Sequence, residues 1–97
     1  RIDRGLILSN EPGLYREGSH GIRIENLVTP VPGKNKGFLR FKTLSLCPID
    51  TRLILTSMLN AEEINWVNTY HQECYSELID FVTEKGKTWL KKACEPI

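Results

Sequence analysis

Residues 60–82 read NAEEINWVNTYHQECYSELIDFV and carry the clearest structural signal in the chain. Asn60 followed by Glu63 has the form of a helix capping box, and acidic residues stand in the first turn, where the helix dipole favours them. Apolar residues then recur at steps of three and four, which predicts one buried helical face: Ile64, Val67, Tyr70 or His71, Cys74, Leu78, and Phe81 or Val82.

The end of the chain predicts a second, shorter helix. Gly86 after Lys85 is a stop signal for the first helix, and residues 88–93 continue in a helical pattern. In that helix Trp89, Leu90 and Ala93 are expected to face inward. The two helices together form the C-terminal part of the predicted fold.

The residues before Asn60 are typical of short strands separated by turns. A brief apolar run at residues 5–9 stops at Pro12-Gly13. Residues 22–28 alternate between apolar and polar positions like a strand, although Pro30 and Pro32 weaken it, and residues 38–46 repeat the pattern. Residues 53–55 are a further strand or a connector. We therefore predict an α+β fold of three or four mainly antiparallel strands followed by two helices, divided into residues 1–59 and 60–97.

Composition excludes several classes of protein. The 97 residues are 40% hydrophobic, too apolar for a disordered chain, and 13 basic residues against 12 acidic ones leave a net charge of +1. The charge gives no sign of a nucleic-acid partner, and no apolar run is long enough to span a bilayer. Three widely spaced cysteines (Cys47, Cys74 and Cys94) suit a reducing compartment, so a cytoplasmic location is expected.

Two glutamates stand in unusual settings for a carboxylate. Glu11 lies where a strand meets the Pro12-Gly13 turn, and Glu25 lies mid-strand among apolar neighbours, with Arg23 two residues away on the same face. A carboxylate in such a strand needs a cation or hydrogen bonds to offset its desolvation. A divalent metal ion is one partner and Arg23 is another. Spacing alone favours the simple exposed Arg-Glu pair.

The histidines give weaker signals. His71 and Cys74 are three residues apart on one helical face, a spacing that zinc could use, but no second pair completes a four-ligand site. A core-facing position is therefore the favoured interpretation. His20 stands in a glycine-bounded loop; its chemistry would suit a general base, but an exposed residue without a catalytic role is the favoured interpretation.

Two motifs resemble those of a known enzyme family. They are Glu11-Pro12-Gly13-Leu14-Tyr15 and Gly21-Ile22-Arg23-Ile24-Glu25-Asn26, with fourteen residues from Glu to Glu. Together they are similar to the closing segment of the Xaa-Pro aminopeptidases, members of the pita-bread metallopeptidases. The resemblance continues through residues 44–50, residues 66–71 and the ending at residues 89–97. The fold implied is the C-terminal part of a pita-bread fold, with residues 1–59 as the final strands of the catalytic domain and residues 60–97 as a C-terminal helical extension.

The resemblance implies a site with two divalent ions, typically Mn²⁺, held by two Asp, one His and two Glu. Glu11 and Glu25 match the two glutamates, Glu25 as the ligand that bridges both ions and Glu11 as a ligand that also helps to deprotonate the attacking water. Tyr15 and Arg23 match positions that hydrogen-bond around the ligands. This reverses the expectation for Glu25 drawn from spacing, and it requires Glu11 and Glu25 to converge on one cavity.

Three of the five ligands implied by the resemblance match no residue here and are expected upstream. We therefore expect the complete enzyme to hydrolyse the bond before a proline at the second position of a peptide, and this segment alone to be inactive and free of metal. A homodimer is also implied, with the predicted 64–81 helix either contributing to it or only covering the sheet. The alternatives are an Xaa-Pro dipeptidase and a non-catalytic binding or dimerisation module of the same fold.

Overall fold

The computed structural model describes residues 2–97, which fold into two compact units. The first unit ends at Ser45 and holds the strands, and the second runs from Leu46 to Ile97 and holds both helices. Antiparallel strands followed by two helices confirm the predicted α+β class. Residues 46–59 belong to the helical unit, so the units do not divide after residue 59; a catalytic-domain boundary at that residue stays a prediction.

Five strands are present among the described residues, where three or four were predicted. They are β1 (Leu8–Asn10), β2 (Gly13–Arg16), β3 (His20–Arg23), β4 (Asn26–Pro32) and β5 (Leu39–Thr43). They form two sheets, one with the order β1-β4-β5 and one containing β2 and β3. Residues 53–55, expected to be a further strand or a connector, are not a strand: they are the end of a 3₁₀ helix, Thr51–Leu53, and a connector to a second, Thr56–Met58.

Residues 8–28 form one long antiparallel hairpin centred on Gly18. β1 pairs with β4 from Leu8 opposite Val28, and β2 pairs with β3 in the same register, up to Arg16 opposite His20. Gly18 has φ of 69°, a conformation that glycine adopts without strain at the tip of the turn. The single strand predicted at residues 22–28 is therefore divided between β3 and β4, and the ladder is interrupted at Ile24 and Glu25.

Strand β4 runs through Pro30 and Pro32, although these residues were expected to weaken it. The Leu27 carbonyl accepts from Leu44 N at 2.8 Å, and Gly33 N donates to the Phe38 carbonyl at 2.8 Å. The backbone N–H and C=O groups of the odd-numbered residues of β4 therefore point toward β5. The backbone groups of the even-numbered residues point to the other side, toward β1, and the pairing of β1 with β4 ends at Val28. The N–H groups that the prolines lack would thus point to a margin where, among residues 2–97, no strand pairs with β4, and proline is tolerated there.

The first helix, α1, spans Ala61–Leu78 and begins as predicted. Asn60 Oδ1 accepts from Glu63 N at 2.9 Å, and Glu63 Oε2 accepts from Asn60 N at 2.9 Å, which confirms the capping box. A 3₁₀ turn, Ile79–Phe81, follows α1 directly. Within the described residues, neither helix combines the length and hydropathy needed to span a bilayer.

The second helix, α2, spans Glu84–Ala93, so the prediction that Gly86 ends a helix is wrong. Thr83 is the N-cap, and its side chain accepts from Gly86 N at 3.2 Å. A threonine cap and Glu84 in the first turn outweigh the weak helix propensity of one glycine. Leu90 is buried as predicted, Ala93 is half-buried, and Trp89 is 62% exposed, so its predicted inward orientation is wrong.

The predicted buried face of α1 is confirmed at its centre, where Val67, Tyr70, His71 and Cys74 are buried. Tyr70 and His71 also fix the chain that enters this unit. The Tyr70 hydroxyl donates to the Cys47 carbonyl at 2.9 Å, and His71 Nε2 accepts from Ile49 N at 3.1 Å. Burial raises the pKa of Tyr70 to about 12, so this hydroxyl keeps its proton. Phe81 is 86% exposed and does not belong to the buried face.

Candidate functional site: a guanidinium between two glutamates

The hairpin register brings Glu11 and Glu25 together. Gly13 pairs with Arg23, and one residue further along Ile24 N donates to the Pro12 carbonyl at 3.2 Å. The same register, continued by one more residue, sets Glu11 opposite Glu25. Side chains opposite each other in an antiparallel pair point to the same face, so the two carboxylates share a face where the regular ladder is interrupted.

Arg23 contacts both glutamates. Its Nε lies 3.3 Å from Glu25 Oε2, and its Nη1 lies 3.9 Å from Glu11 Oε2. The two acidic side chains therefore converge on one guanidinium. All three side chains are about half exposed, at 49% for Arg23, 48% for Glu11 and 42% for Glu25.

Two hydroxyl groups complete the cluster. Ser9 Oγ donates to Glu11 Oε1 at 2.8 Å, which leaves Oε2 of the same carboxylate toward Arg23. Arg23 Nη1 donates to the Tyr15 hydroxyl at 3.5 Å. Ser9 was not identified from the sequence; its position two residues before Glu11 on a strand is the signal that would have placed it on the same face.

The charge of Arg23 is stabilised by these neighbours. The hydrogen bond to Tyr15 is the largest cause that raises the pKa of Arg23, and the negative charges of Glu25 and Glu11 act in the same direction. The guanidinium stays charged at any physiological pH. It offsets part of the repulsion between two carboxylates on one face.

The donor set fits part of a site for hard divalent cations. Carboxylate oxygens are the ligands that Mg²⁺ and Mn²⁺ prefer, and two of them converge here. Among residues 2–97, however, no group of three or more His, Cys, Asp or Glu side chains could hold a metal ion. Glu11 and Glu25 could supply two ligands to a divalent-cation site, and further ligands would be needed to complete it.

The histidines lie outside this cluster. His20 is exposed at the start of β3, as expected, and its Nδ1 lies 2.8 Å from Ser19 Oγ. His71 and Cys74 are fully buried in the second unit, which confirms their core-facing interpretation. Burial lowers the pKa of His71 and raises the pKa of Cys74. Both groups are thus held in their uncharged forms.

Comparisons with known proteins place the chain in a family. Residues 37–97 match the family described as the C-terminal region of peptidase M24. The whole length is similar to Xaa-Pro aminopeptidase ApepP of Drosophila melanogaster, 37% identical over 99% of this chain and 17% of that protein. Xaa-Pro aminopeptidase app-1 of Caenorhabditis elegans is 42% identical over 94% of this chain and 16% of that protein.

A solved structure shows the same fold. The crystal structure of X-prolyl aminopeptidase from Caenorhabditis elegans, described as a cytosolic enzyme with a di-nuclear active site, superposes with a TM-score of 0.87 at 39% identity. The superposition covers 99% of this chain and 17% of that protein.

The family match covers most of the chain, and the solved neighbour adds the fold. This chain belongs to the peptidase M24 C-terminal region family and has the fold of the last part of a pita-bread aminopeptidase. It spans about one sixth of the length of the relatives it matches.

Proposed function

We propose that this chain supplies two metal-ligating glutamates to a dinuclear metallopeptidase that removes an N-terminal residue preceding proline. The observation that supports the proposal most directly is the convergence of Glu11 and Glu25 on one face of the hairpin, with Arg23 in contact with both. The similarity to Xaa-Pro aminopeptidases over almost the entire chain supplies the substrate class. Three further ligands, two Asp and one His by the family resemblance, belong to the rest of the enzyme.

Each residue of the cluster has a proposed role. Glu25 would be the ligand shared by the two divalent ions, and Glu11 would hold an ion through its carboxylate and accept a proton from the attacking water. Divalent ions, when bound in such sites, supply Lewis-acid chemistry that polarises a carbonyl and acidifies water. Arg23 orients the carboxylates of Glu11 and Glu25, and Tyr15 orients Arg23 in turn. In this proposal Arg23 and Tyr15 fix the orientation of the ligands, and Glu11 accepts one proton.

Manganese, a homodimer and a cytoplasmic location belong to the same proposal. The solved neighbour is described as cytosolic with a di-nuclear site, which supports two ions and the compartment. Oxygen ligands suit Mn²⁺, which supports the choice of metal. The dimer comes from the family resemblance, and the exposed apolar side chains of the second unit, such as Phe81 at 86% and Met58 at 78%, are compatible with it.

The test is Glu25→Gln in the complete enzyme. Loss of a metal-bridging carboxylate is expected to lower kcat/KM for a peptide with proline second by at least about 100-fold, since even partners that only hydrogen-bond to ligands contribute about 10–100-fold. Metal content, measured by atomic emission, should fall in parallel. Glu17→Gln, an exposed glutamate at the hairpin turn, is the matched control and should keep both values.

Other outcomes distinguish the alternatives. Unchanged turnover in Glu25→Gln would remove the proposed role of this residue. Cleavage restricted to dipeptides would indicate the Xaa-Pro dipeptidase, and a complete protein that binds peptides without cleaving them would indicate the non-catalytic module.

A further inference from the structure

Four positions on one face of the β2–β3 hairpin form a square. Gly13 and Tyr15 lie on β2, and their cross-strand partners Arg23 and Gly21 lie on β3. Directly paired residues and residues two apart on one strand share a face, so all four point toward the same side. Tyr15 and Arg23 stand at opposite corners, and the glycines occupy the other two.

The Tyr15 ring lies across both glycines. A β-carbon on Gly13 would come within 2.6 Å of the Tyr15 hydroxyl oxygen and 2.8 Å of its Cζ. A β-carbon on Gly21 would come within 2.8 Å of the Tyr15 Cδ1. These distances are shorter than van der Waals contact, so the ring occupies the space that side chains would need at both positions.

Backbone conformation gives no other reason for glycine here. Neither Gly13 nor Gly21 has a positive φ, unlike Gly5, Gly18 and Gly37. All three of the nearest atoms to a β-carbon on Gly13 belong to Tyr15. On Gly21 the only other near atom, the Leu14 carbonyl oxygen at 3.8 Å, is at ordinary contact distance. An alanine at either position would therefore meet the Tyr15 ring, and only that ring would have to move.

We propose that Gly13 and Gly21 are positioning residues that let the Tyr15 ring cross the hairpin and direct its hydroxyl to Arg23. The Tyr15 side chain crosses the hairpin diagonally, and its hydroxyl lies 3.5 Å from Arg23 Nη1. The same nitrogen lies 3.9 Å from Glu11 Oε2. The inference rests on the proposed function, because Arg23 acts on catalysis only if Glu11 and Glu25 do. No carboxylate atom is among the three nearest to a β-carbon at either glycine, so the glycines act through the tyrosine.

The mechanism predicts how alanine would act. Tyr15 is 63% exposed, so its ring can rotate away from an added methyl group and leave the hairpin folded. This rotation breaks the hydrogen bond from Arg23 to the Tyr15 hydroxyl, so Arg23 is no longer oriented by Tyr15. Gly13→Ala and Gly21→Ala should therefore impair the site without lowering the melting temperature, whereas a merely structural glycine would show the opposite pattern.

The experiment uses the complete enzyme with Gly13→Ala, Gly21→Ala, Tyr15→Phe and the double variant Tyr15→Phe/Gly21→Ala. Tyr15→Phe removes only the hydroxyl. Each single variant is expected to lower kcat and Mn²⁺ affinity by about tenfold, the range for partners that orient metal ligands, with KM within about twofold of wild type. The double variant should match Tyr15→Phe, because the hydroxyl is already lost. Arg16→Ala, which alternation places on the opposite face of β2, is the control and should equal wild type.

Several results would overturn the inference. They are full kcat and Mn²⁺ affinity in Gly21→Ala, losses that multiply in the double variant, or a double variant that fails to fold. A complete enzyme that binds Mn²⁺ but leaves Xaa-Pro bonds intact contradicts the proposed function alone. The inference is then tested by the Mn²⁺ affinities alone. Equal affinities in Tyr15→Phe and in the double variant would support it, and a lower affinity in the double variant would overturn it.

Discussion

Arg23 has the largest number of contacts in the glutamate cluster, and its side-chain chemistry explains why. A planar guanidinium offers donors in several fixed directions, so Nε meets Glu25 while Nη1 lies toward Glu11 and Tyr15. A lysine offers one compact charge and could not hold these three directions together. The geometry of the cluster therefore depends on arginine rather than on positive charge alone.

His71 shows a residue whose role is structural. Its ring is fully buried, and Nε2 accepts a hydrogen bond from Ile49 N, which the neutral ring can do and the doubly protonated ring cannot. Burial lowers the pKa of His71 below its usual value. The unfolded chain, with an ordinary histidine pKa of about 6.5, then binds more protons than the folded chain as the pH falls.

Acid should therefore destabilise the protein through His71. The free energy of unfolding contributed by the neutral ring is fully present above about pH 6.5 and is lost as the pH falls below that value. In His71→Gln, whose amide oxygen can still accept from Ile49 N, the melting temperature of the dilute 97-residue chain should fall less between about pH 7.5 and 5.5 than in wild type. Equal falls in both proteins would contradict this role.

At the scale of elements, periodicity predicted the helices better than the hairpin. The α1 start followed from a local capping motif, which depends on residues three apart. The β2–β3 hairpin was missed because residues 15–20 are polar and exposed on both faces, so they have no alternation to detect. The register that brings Glu11 opposite Glu25 was in principle readable, since Gly18 is midway between them.

The errors at Gly86 and the prolines have a common cause. Each residue was judged by its average preference, whereas its effect depends on the hydrogen bond at that position. Gly86 N is satisfied by the Thr83 side chain in the first turn of α2. Pro30 and Pro32 lack N–H groups on the side of β4 that β1 does not reach. Those partners become known only when the chain is folded.

The capping box of α1 should contribute measurably to stability. Asn60→Ala removes the acceptor for Glu63 N, and the expected loss is about 1 kcal/mol in the free energy of unfolding. Urea denaturation of the 97-residue chain should show a lower midpoint with an unchanged slope. Asn60→Ser keeps a side-chain acceptor and is the matched control; an identical midpoint for Asn60→Ala would show that the box is energetically neutral.

At the scale of the whole molecule, the candidate site is incomplete within these residues. Two carboxylates cannot fix a dinuclear centre, because affinity depends on ligand number and rigid geometry. The 97-residue chain should therefore show no stoichiometric Mn²⁺ binding by calorimetry, whereas the complete enzyme should. A tightly bound ion in the short chain would contradict the ligand-count argument.

The exposed apolar surface leads to a separate expectation. Large side chains are exposed in both units, among them Phe38 at 70%, Leu53 at 77% and Phe81 at 86%. Burial of such surface favours association. Light scattering coupled to size exclusion should find the 97-residue chain larger than a monomer, and a monomer at all concentrations would show that this surface does not associate.

The two prolines of β4 limit the form that such assemblies take. An incoming strand that approached this margin beyond Val28 would find no amide hydrogens at Pro30 and Pro32 to pair with. Cross-β growth, which requires both donors and acceptors along the contact, is therefore blocked there. Association of this chain by strand addition should therefore use another edge, such as that of β5, which is an outer strand of the same sheet and contains no proline.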